Sequence, residues 1–389
     1  MPLRDTRLDI LRGWLQLSIF ASHAHGSVFG AYAIHAAWGL SDSSELFVLL
    51  SGFGLGSVFA RKAMRAGRRA ALRDLGERVL RLLGWHARVF LGLALTVVSA
   101  ERLLDLPGEA AATGWAWLSS DPLRAAPAAL IGLYQPEYTG ILILFVWCML
   151  LLPAFILMAQ RHGAWALLPP ALSYAAAQAT GWSPPALGGT GIAFNPLAWG
   201  PLFLLGAWFG RRTLMQGRAI GRHPALVVAA GGVLAFGLWV RVGEAGWLPG
   251  PGLPLSLLLA KENLALPRLL HALSLAYLVA VLVPPSAAPP RGALGIGLAA
   301  AGRHSLNVFC AGLFLSYGVA LALRLNPARG LEIDLIAVPA GCALLLTMAI
   351  WIEARARSRR LPGAAQPARK DASRPEGRDE LAATPGPAS

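Results

Sequence analysis

Long apolar runs separated by short polar stretches set the pattern of this chain. Ten such runs lie at about residues 8–28, 44–60, 82–100, 139–158, 164–180, 196–210, 224–241, 266–284, 304–324 and 332–352. Runs of this kind suit helices that cross a hydrocarbon core. No strand-forming alternation and no internal repeat is present. The predicted fold class is all-α, a polytopic transmembrane helix bundle of about ten spans, because lipid offers no partner for an unpaired backbone group. Residues 1–352 read as one membrane-embedded domain. Residues 353–389, rich in Pro, Ala, Gly, Ser and charge, read as a disordered basic cytoplasmic tail.

Charge gives the runs a direction. Arg61, Lys62, Arg65, Arg68, Arg69, Arg73, Arg78 and Arg81 crowd the stretch between the second and third runs, against only Asp74 and Glu77. Arg211, Arg212, Arg218 and Arg222 follow the sixth run, and Arg355, Arg357, Arg359 and Arg360 the last. The stretch 101–137 instead carries Glu101, Asp105, Glu109, Asp121 and Glu137, with Trp115 and Trp117. Basic loops stay on the cytoplasmic side, so ten spans place both termini there and the acidic stretch outside, in the periplasm. With 56% hydrophobic and 14% charged residues an ordinary soluble protein is excluded. The net charge of +14 reflects topology rather than nucleic-acid binding. The first run has no small-residue cleavage site before His23 and belongs to the fold rather than to a signal peptide. Cys148, Cys310 and Cys342 all sit in apolar segments, without metal-ligand or disulfide spacing, and read as packing residues.

The first run holds the most informative polar residues. Asp9, Arg12, Gln16 and His23 interrupt it. At about 100° per residue, Arg12 and His23 differ by only about 20° in direction, and Asp9 and Gln16 fall beside them. One face of an apolar helix thus carries an acid, a guanidinium, an amide and an imidazole. Ionisable groups at membrane depth mark pathways, pairs or reacting sites, although Asp9 and Arg12 could also serve only to anchor the helix at the interface. Ser41-Asp-Ser-Ser-Glu45 is a helix N-terminus with a capping box. Its Glu45 is also placed to orient His23.

Other clusters are compatible with ligands. Arg78, Arg81 and His86 form a basic set suited to lipid head groups or to the phosphates of a nucleotide-bearing donor. Gln135-Pro-Glu-Tyr138 and Phe194-Asn-Pro-Leu-Ala-Trp199 precede or open runs on the outer side, with Asn195 and Trp199 as candidates. Lys261, Asn263, Arg268 and His271 make an outer basic patch, fit for an anionic or sugar ligand or for snorkelling at the interface.

These residues resemble a known family. Arg12 and His23 look like the Arg-x10-His signature of the acyltransferase-3 superfamily of membrane acyltransferases. The chain more closely resembles the OpgC family, through Arg7-Leu-Asp-Ile-Leu-Arg-Gly13, Ser41 to Gly52, Arg81 with His86, Gln135 to Tyr138, Phe194 to Trp199, and Gly302-Arg-His-Ser-Leu-Asn-Val-Phe309. Ser22 and Gly140 stand where acids are expected. The resemblance implies an inner-membrane enzyme moving an acyl group, succinyl in the namesake, from cytoplasmic acyl-CoA to hydroxyls of a periplasmic glucan. It implies no bound cofactor and no metal. On this reading His23, Glu45 and Arg12 are catalytic. Substrate contacts would come from Asp9, Gln16, Asp42, Arg78, Arg81, His86, Gln135, Tyr138, Asn195, Trp199, Arg268 and Arg303. The expected partners are acyl-CoA, a glycan acceptor and membrane lipid.

The chemistry is consistent with this. A sugar hydroxyl needs a base to attack, and on the polar face of the first run His23 is the residue that titrates near neutrality. Direct attack on the thioester and a transient acyl-histidine are both open. A pore along the Arg12–His23 face would let donor and acceptor meet. A transporter or binding protein for a glycan or lipid-linked intermediate is the alternative, since it too would show a polar stripe.

Overall fold

Two regions of the chain cross each other at glycines, and the bundle is assembled around those crossings. The computed structural model describes residues 5–217, 220–283 and 292–359, and every regular element among them is helical. The ten longest helices are α1 (Thr6–His23), α2 (Ser43–Leu103), α3 (Gly140–His162), α4 (Leu168–Thr180), α5 (Pro196–Gln216), α6 (Pro224–Glu244), α7 (Leu266–Leu282), α8 (Ala293–Arg303), α9 (Ser305–Leu325) and α10 (Gly330–Ser358).

Among the described residues five segments are long and apolar enough to cross a membrane: α2, the continuous run Gly140–Thr180, α6, α9, and Pro327–Ser358. The remaining expected spans fall on helices that are shorter or interrupted by charge. Helix α1, for example, carries Asp9 and Arg12 among its apolar residues.

The predicted second and third spans belong to one run of 61 residues, and the basic stretch between them is helical rather than a loop. Its Arg, Ala, Leu and Glu content favours helix. The run is not straight, because Gly67 has φ 82° and ψ 165°, a backbone open essentially only to glycine. Lys62 Nζ lies 2.7 Å from Asp74 Oδ1. Twelve residues of straight helix would separate them by about 18 Å. The chain therefore folds back at Gly67 into two arms. The acidic stretch 101–137 carries three short helices, Glu109–Ala112, Ala116–Ser120 and Pro122–Ile131. The expected disordered tail begins too early at residue 353, because α10 continues to Ser358. Residues 360–389 lie outside the described residues.

Helices α2 and α5 pack most extensively. Gly52 and Gly56 on one face Gly206 and Gly210 on the other, each pair spaced by four. A Cβ on Gly52 would collide with the Phe203 carbonyl, and one on Gly206 with the Leu49 carbonyl. One on Gly210 would strike the Phe53 carbonyl. Small residues at this spacing let backbones approach where lipid supplies no hydrophobic drive. Helix α1 is seated on α8 in the same way: Gly13 abuts the Leu298 backbone and Gly302 the Asp9 backbone. The chain leaving α1 is then tied to α10, whose buried Asp334 accepts from the amides of Val28 (2.8 Å) and Phe29 (3.3 Å). The main apolar core joins α2, α3 and α5, and a second one joins α1, α8, α9 and α10.

Gly206→Leu should therefore destabilise the purified protein by at least the cost of overpacking, about 1–3 kcal/mol, read as a lowered Tm in detergent. Gly200→Ala on the same helix, where a Cβ meets nothing within 4 Å, should leave Tm unchanged or slightly raised.

Candidate active site

Helix α1 begins with Asp5 as its N-cap, and half of its residues are buried. Its polar face looks into the protein rather than toward lipid. Arg12 lines one cavity, of about 1100 Å³, and His23 lines another, of about 330 Å³. Eleven residues of helix separate them by about 17 Å. The expected pore is thus two cavities on one helix face.

The larger cavity is basic. Arg12, Arg61, Arg78, Arg81, Arg303 and His304 line it, with Asp5 and Asp9 as its carboxylates. Arg12 donates to the Leu50 carbonyl on α2, and the missing side chain of Gly54 makes room for its guanidinium. Arg78 is held by Asp74 at 2.8 Å. Arg303 and His304 both bond Glu353 on α10, at 3.0 and 2.9 Å, and Arg303 approaches Asp9 at 4.0 Å. Arg61 Nε is buried with no hydrogen-bond partner among the described residues. An arginine-lined cavity of this size suits a polyanion such as a phosphorylated donor.

The smaller cavity holds the imidazole. His23, Ser44, Gln135, Glu137, Tyr138, Lys261 and Glu262 supply its polar lining. His23 Nδ1 lies 2.9 Å from the Ile19 carbonyl oxygen. A carbonyl only accepts, so the neutral ring carries its proton on Nδ1 and keeps the basic lone pair on Nε2. Tyr138 tilts against His23 with ring centroids 5.8 Å apart, and its hydroxyl donates to the His23 carbonyl at 3.3 Å. Tyr138 has φ +70°, a strained backbone for a bulky residue of the kind that collects at functional sites. Burial pushes the neighbouring Glu137 carboxyl above its ordinary range, against the pull of His25 and Arg324.

The structure corrects the role expected for Glu45. Its carboxylate does not reach His23. It receives Arg268 Nε at 2.7 Å and the Asp42 amide at 2.9 Å. Asp42 in turn holds Lys261 at 2.8 Å and Arg268 at 3.1 Å. The predicted capping box is present, with Ser44 N on Asp42 Oδ1 at 2.7 Å. Asp42, Glu45 and Arg268 therefore form a clamp between α2 and α7 that carries Lys261 to the cavity. Burial opposes ionisation of Asp42, but Lys261 and Arg268 outweigh it and hold the carboxyl well below the usual carboxylate range.

Three other predicted contacts are structural. His86 is buried, and its Nε2 bonds the Ala129 carbonyl at 3.0 Å, behind the basic cavity. Asn195 caps α5 through the Leu197 amide at 3.0 Å. Trp199 Nε1 donates to the carbonyls of Lys261 and Glu262, at 3.0 and 3.1 Å. Asn195 and Trp199 thus position the loop that brings Lys261 and Glu262 to His23. Gln135 both lines the cavity and braces it, bonding the Gly132 carbonyl at 2.9 Å and the Ala193 amide at 3.0 Å. Gln16 is buried between Arg12 and His23, and neither amide atom has a partner among the described residues.

Sequence reasoning missed Ser44, Arg61, Glu137 and Glu262 as lining residues. Glu137 lay inside a motif already singled out, and Arg61 inside the basic stretch. Among the described residues no group of three or more His, Cys, Asp or Glu is placed to hold a metal.

Arg268→Ala should leave Glu45 buried without its cation and cost about 3–5 kcal/mol, seen as a large fall in Tm. A lowered carboxylate pKa stabilises the fold above the ordinary value of 3.8 and loses that contribution as pH falls through the lowered value. The Tm difference between wild type and Asp42→Asn should therefore stay flat from neutral pH to about 5 and narrow below about 4.

Compared with known proteins, the chain matches the family model described as OpgC protein over residues 4–357. No curated protein and no solved structure matches it.

Proposed function

The chain belongs to the OpgC family, and we propose that it is a multi-pass inner-membrane O-acyltransferase that moves an acyl group from cytoplasmic acyl-CoA to a hydroxyl of a periplasmic glucan or other glycan. The single observation that carries this reading is the pairing of an arginine-lined cavity with a histidine-lined one on the same face of α1. In the proposed topology the chain crosses the membrane ten times with both termini cytoplasmic. The basic bend around Gly67 and the Arg-rich end of α10 are then inside. The basic cavity opens to the cytoplasm and the His23 cavity to the periplasm.

The donor's phosphates bind Arg12, Arg61, Arg78 and Arg81, which places the thioester along the polar face toward His23. The acceptor hydroxyl sits against His23, near Tyr138, Glu137 and Lys261. As its oxygen bonds to the acyl carbon, its proton passes to His23 Nε2, which the Nδ1 bond to Ile19 leaves ready to accept it. The carbon–sulfur bond then breaks. The thiolate leaves and takes up the proton from the imidazolium, giving the sugar ester and free CoA thiol. Among the described residues no carboxylate is hydrogen-bonded to the imidazole, and Lys261 and Asp42 act on it through space. Succinyl is the acyl group that the family resemblance favours.

A carrier for a glycan or lipid-linked intermediate competes with this reading, since two cavities on opposite sides of a partition also suit transport. Chemistry at His23 separates the two. His23→Ala should insert and fold normally yet lower transfer by at least about 10²-fold, the usual contribution of a general base. Mass spectrometry of periplasmic glycans should show an acyl mass increment with wild type and none with His23→Ala or without the gene. Equal acylation in all three would remove the acyltransferase reading.

A further inference from the structure

The two cavities share one lining residue, Phe309 on α9. Around it the linings change over within single helical turns. On α2, Ser44 faces the His23 cavity and Phe47 the basic one. On α3, Ile141 faces the His23 cavity and its neighbour Leu142 the basic one. Three residues of helix rise only about 4.5 Å, so beside Phe309 the partition is roughly one side chain thick.

That side chain is held firmly. The Phe47 and Phe309 rings stack with centroids 6.2 Å apart and an interplanar angle of 11°. Phe145 meets Phe47 edge-on at 5.4 Å. All three rings are buried. Aromatic contacts of this geometry stabilise one arrangement beyond simple area burial, and nothing in the transfer chemistry described above uses them.

We propose that Phe309, braced by Phe47, is a partition that selects the size of the acyl group and keeps the two cavities from sharing water. This rests on the acyl-transfer reading. A thioester whose phosphates are anchored among the arginines must bring its acyl end past the Phe309 ring to meet His23. A short acyl group passes the ring, whereas a long one is stopped in the basic cavity. The same ring shields the thioester from water when no acceptor is present. Without that shield, a water oxygen bonds to the acyl carbon as the carbon–sulfur bond breaks, releasing the carboxylic acid and CoA thiol.

The test uses the full chain in lipid nanodiscs with acetyl-, succinyl-, butyryl- and octanoyl-CoA, measuring thiol release with and without added glucan. Phe309→Ala and Phe309→Leu should raise kcat/KM for octanoyl-CoA relative to the best short donor by roughly tenfold or more. They should also raise thiol release without glucan. Phe309→Trp should shift both quantities the other way. If Phe309→Leu and Phe309→Trp fold like wild type and keep its donor ranking and its glucan-independent release, the partition proposal is overturned. If wild type releases no thiol from any donor in the presence of glucan, the acyl-transfer reading fails first and takes the partition with it.

Discussion

An ionised or titratable side chain on an apolar helix cannot face lipid without a large penalty, and the rest of this bundle depends on meeting that constraint for α1. The helix carries Asp9, Arg12, Gln16 and His23 on one face. The fold surrounds that face with protein by bringing α8 against it at Gly13 and Gly302, where any side chain would strike the opposing backbone. With α2 and α9 on other sides, the polar stripe lines two cavities. The α2–α5 crossing does the equivalent work for the other half of the bundle. Both crossings depend on the absence of side chains, which is how membrane helices approach closely without a hydrophobic drive between them.

A second consequence concerns the carboxylates near the imidazole. Burying Glu45 without a cation would be costly, and Arg268 supplies that cation from 223 residues away. The pair, extended by Asp42 and Lys261, fastens α2 to α7 and to the loop that Asn195 and Trp199 hold in place. One network therefore bears the structural load, while His23 is oriented by a backbone carbonyl of its own helix. A carbonyl fixes the tautomer without adding a negative charge beside the ring. This separates positioning of the site from the reacting group. The protein can alter the clamp and the base by different substitutions.

The all-helical class was legible because the apolar runs are long and no strand period competes with them. The polar stripe was legible for a simpler reason. Helical geometry places Arg12 and His23 on one face whatever surrounds them, and each indeed lines a cavity. The capping box of α2 was readable from Asp42 and Glu45 alone, since it is made within four residues. The bend at Gly67 was not readable. Glycine marks many positions in this chain, and only the Lys62–Asp74 pairing shows that the helix doubles back there.

Local spacing by itself thus determined the helical class, which residues of α1 share a face, and the cap that opens α2, because those relations are settled within a few turns of backbone. Tertiary structure alone decided what each polar residue faces. It gave Glu45 to Arg268 rather than to His23, turned His86 onto the Ala129 carbonyl, and recruited Asn195 and Trp199 as supports. It also divided the stripe into two cavities at Phe309. Such partnerships join residues far apart in the chain, and the packing of whole helices selects among many chemically equivalent partners.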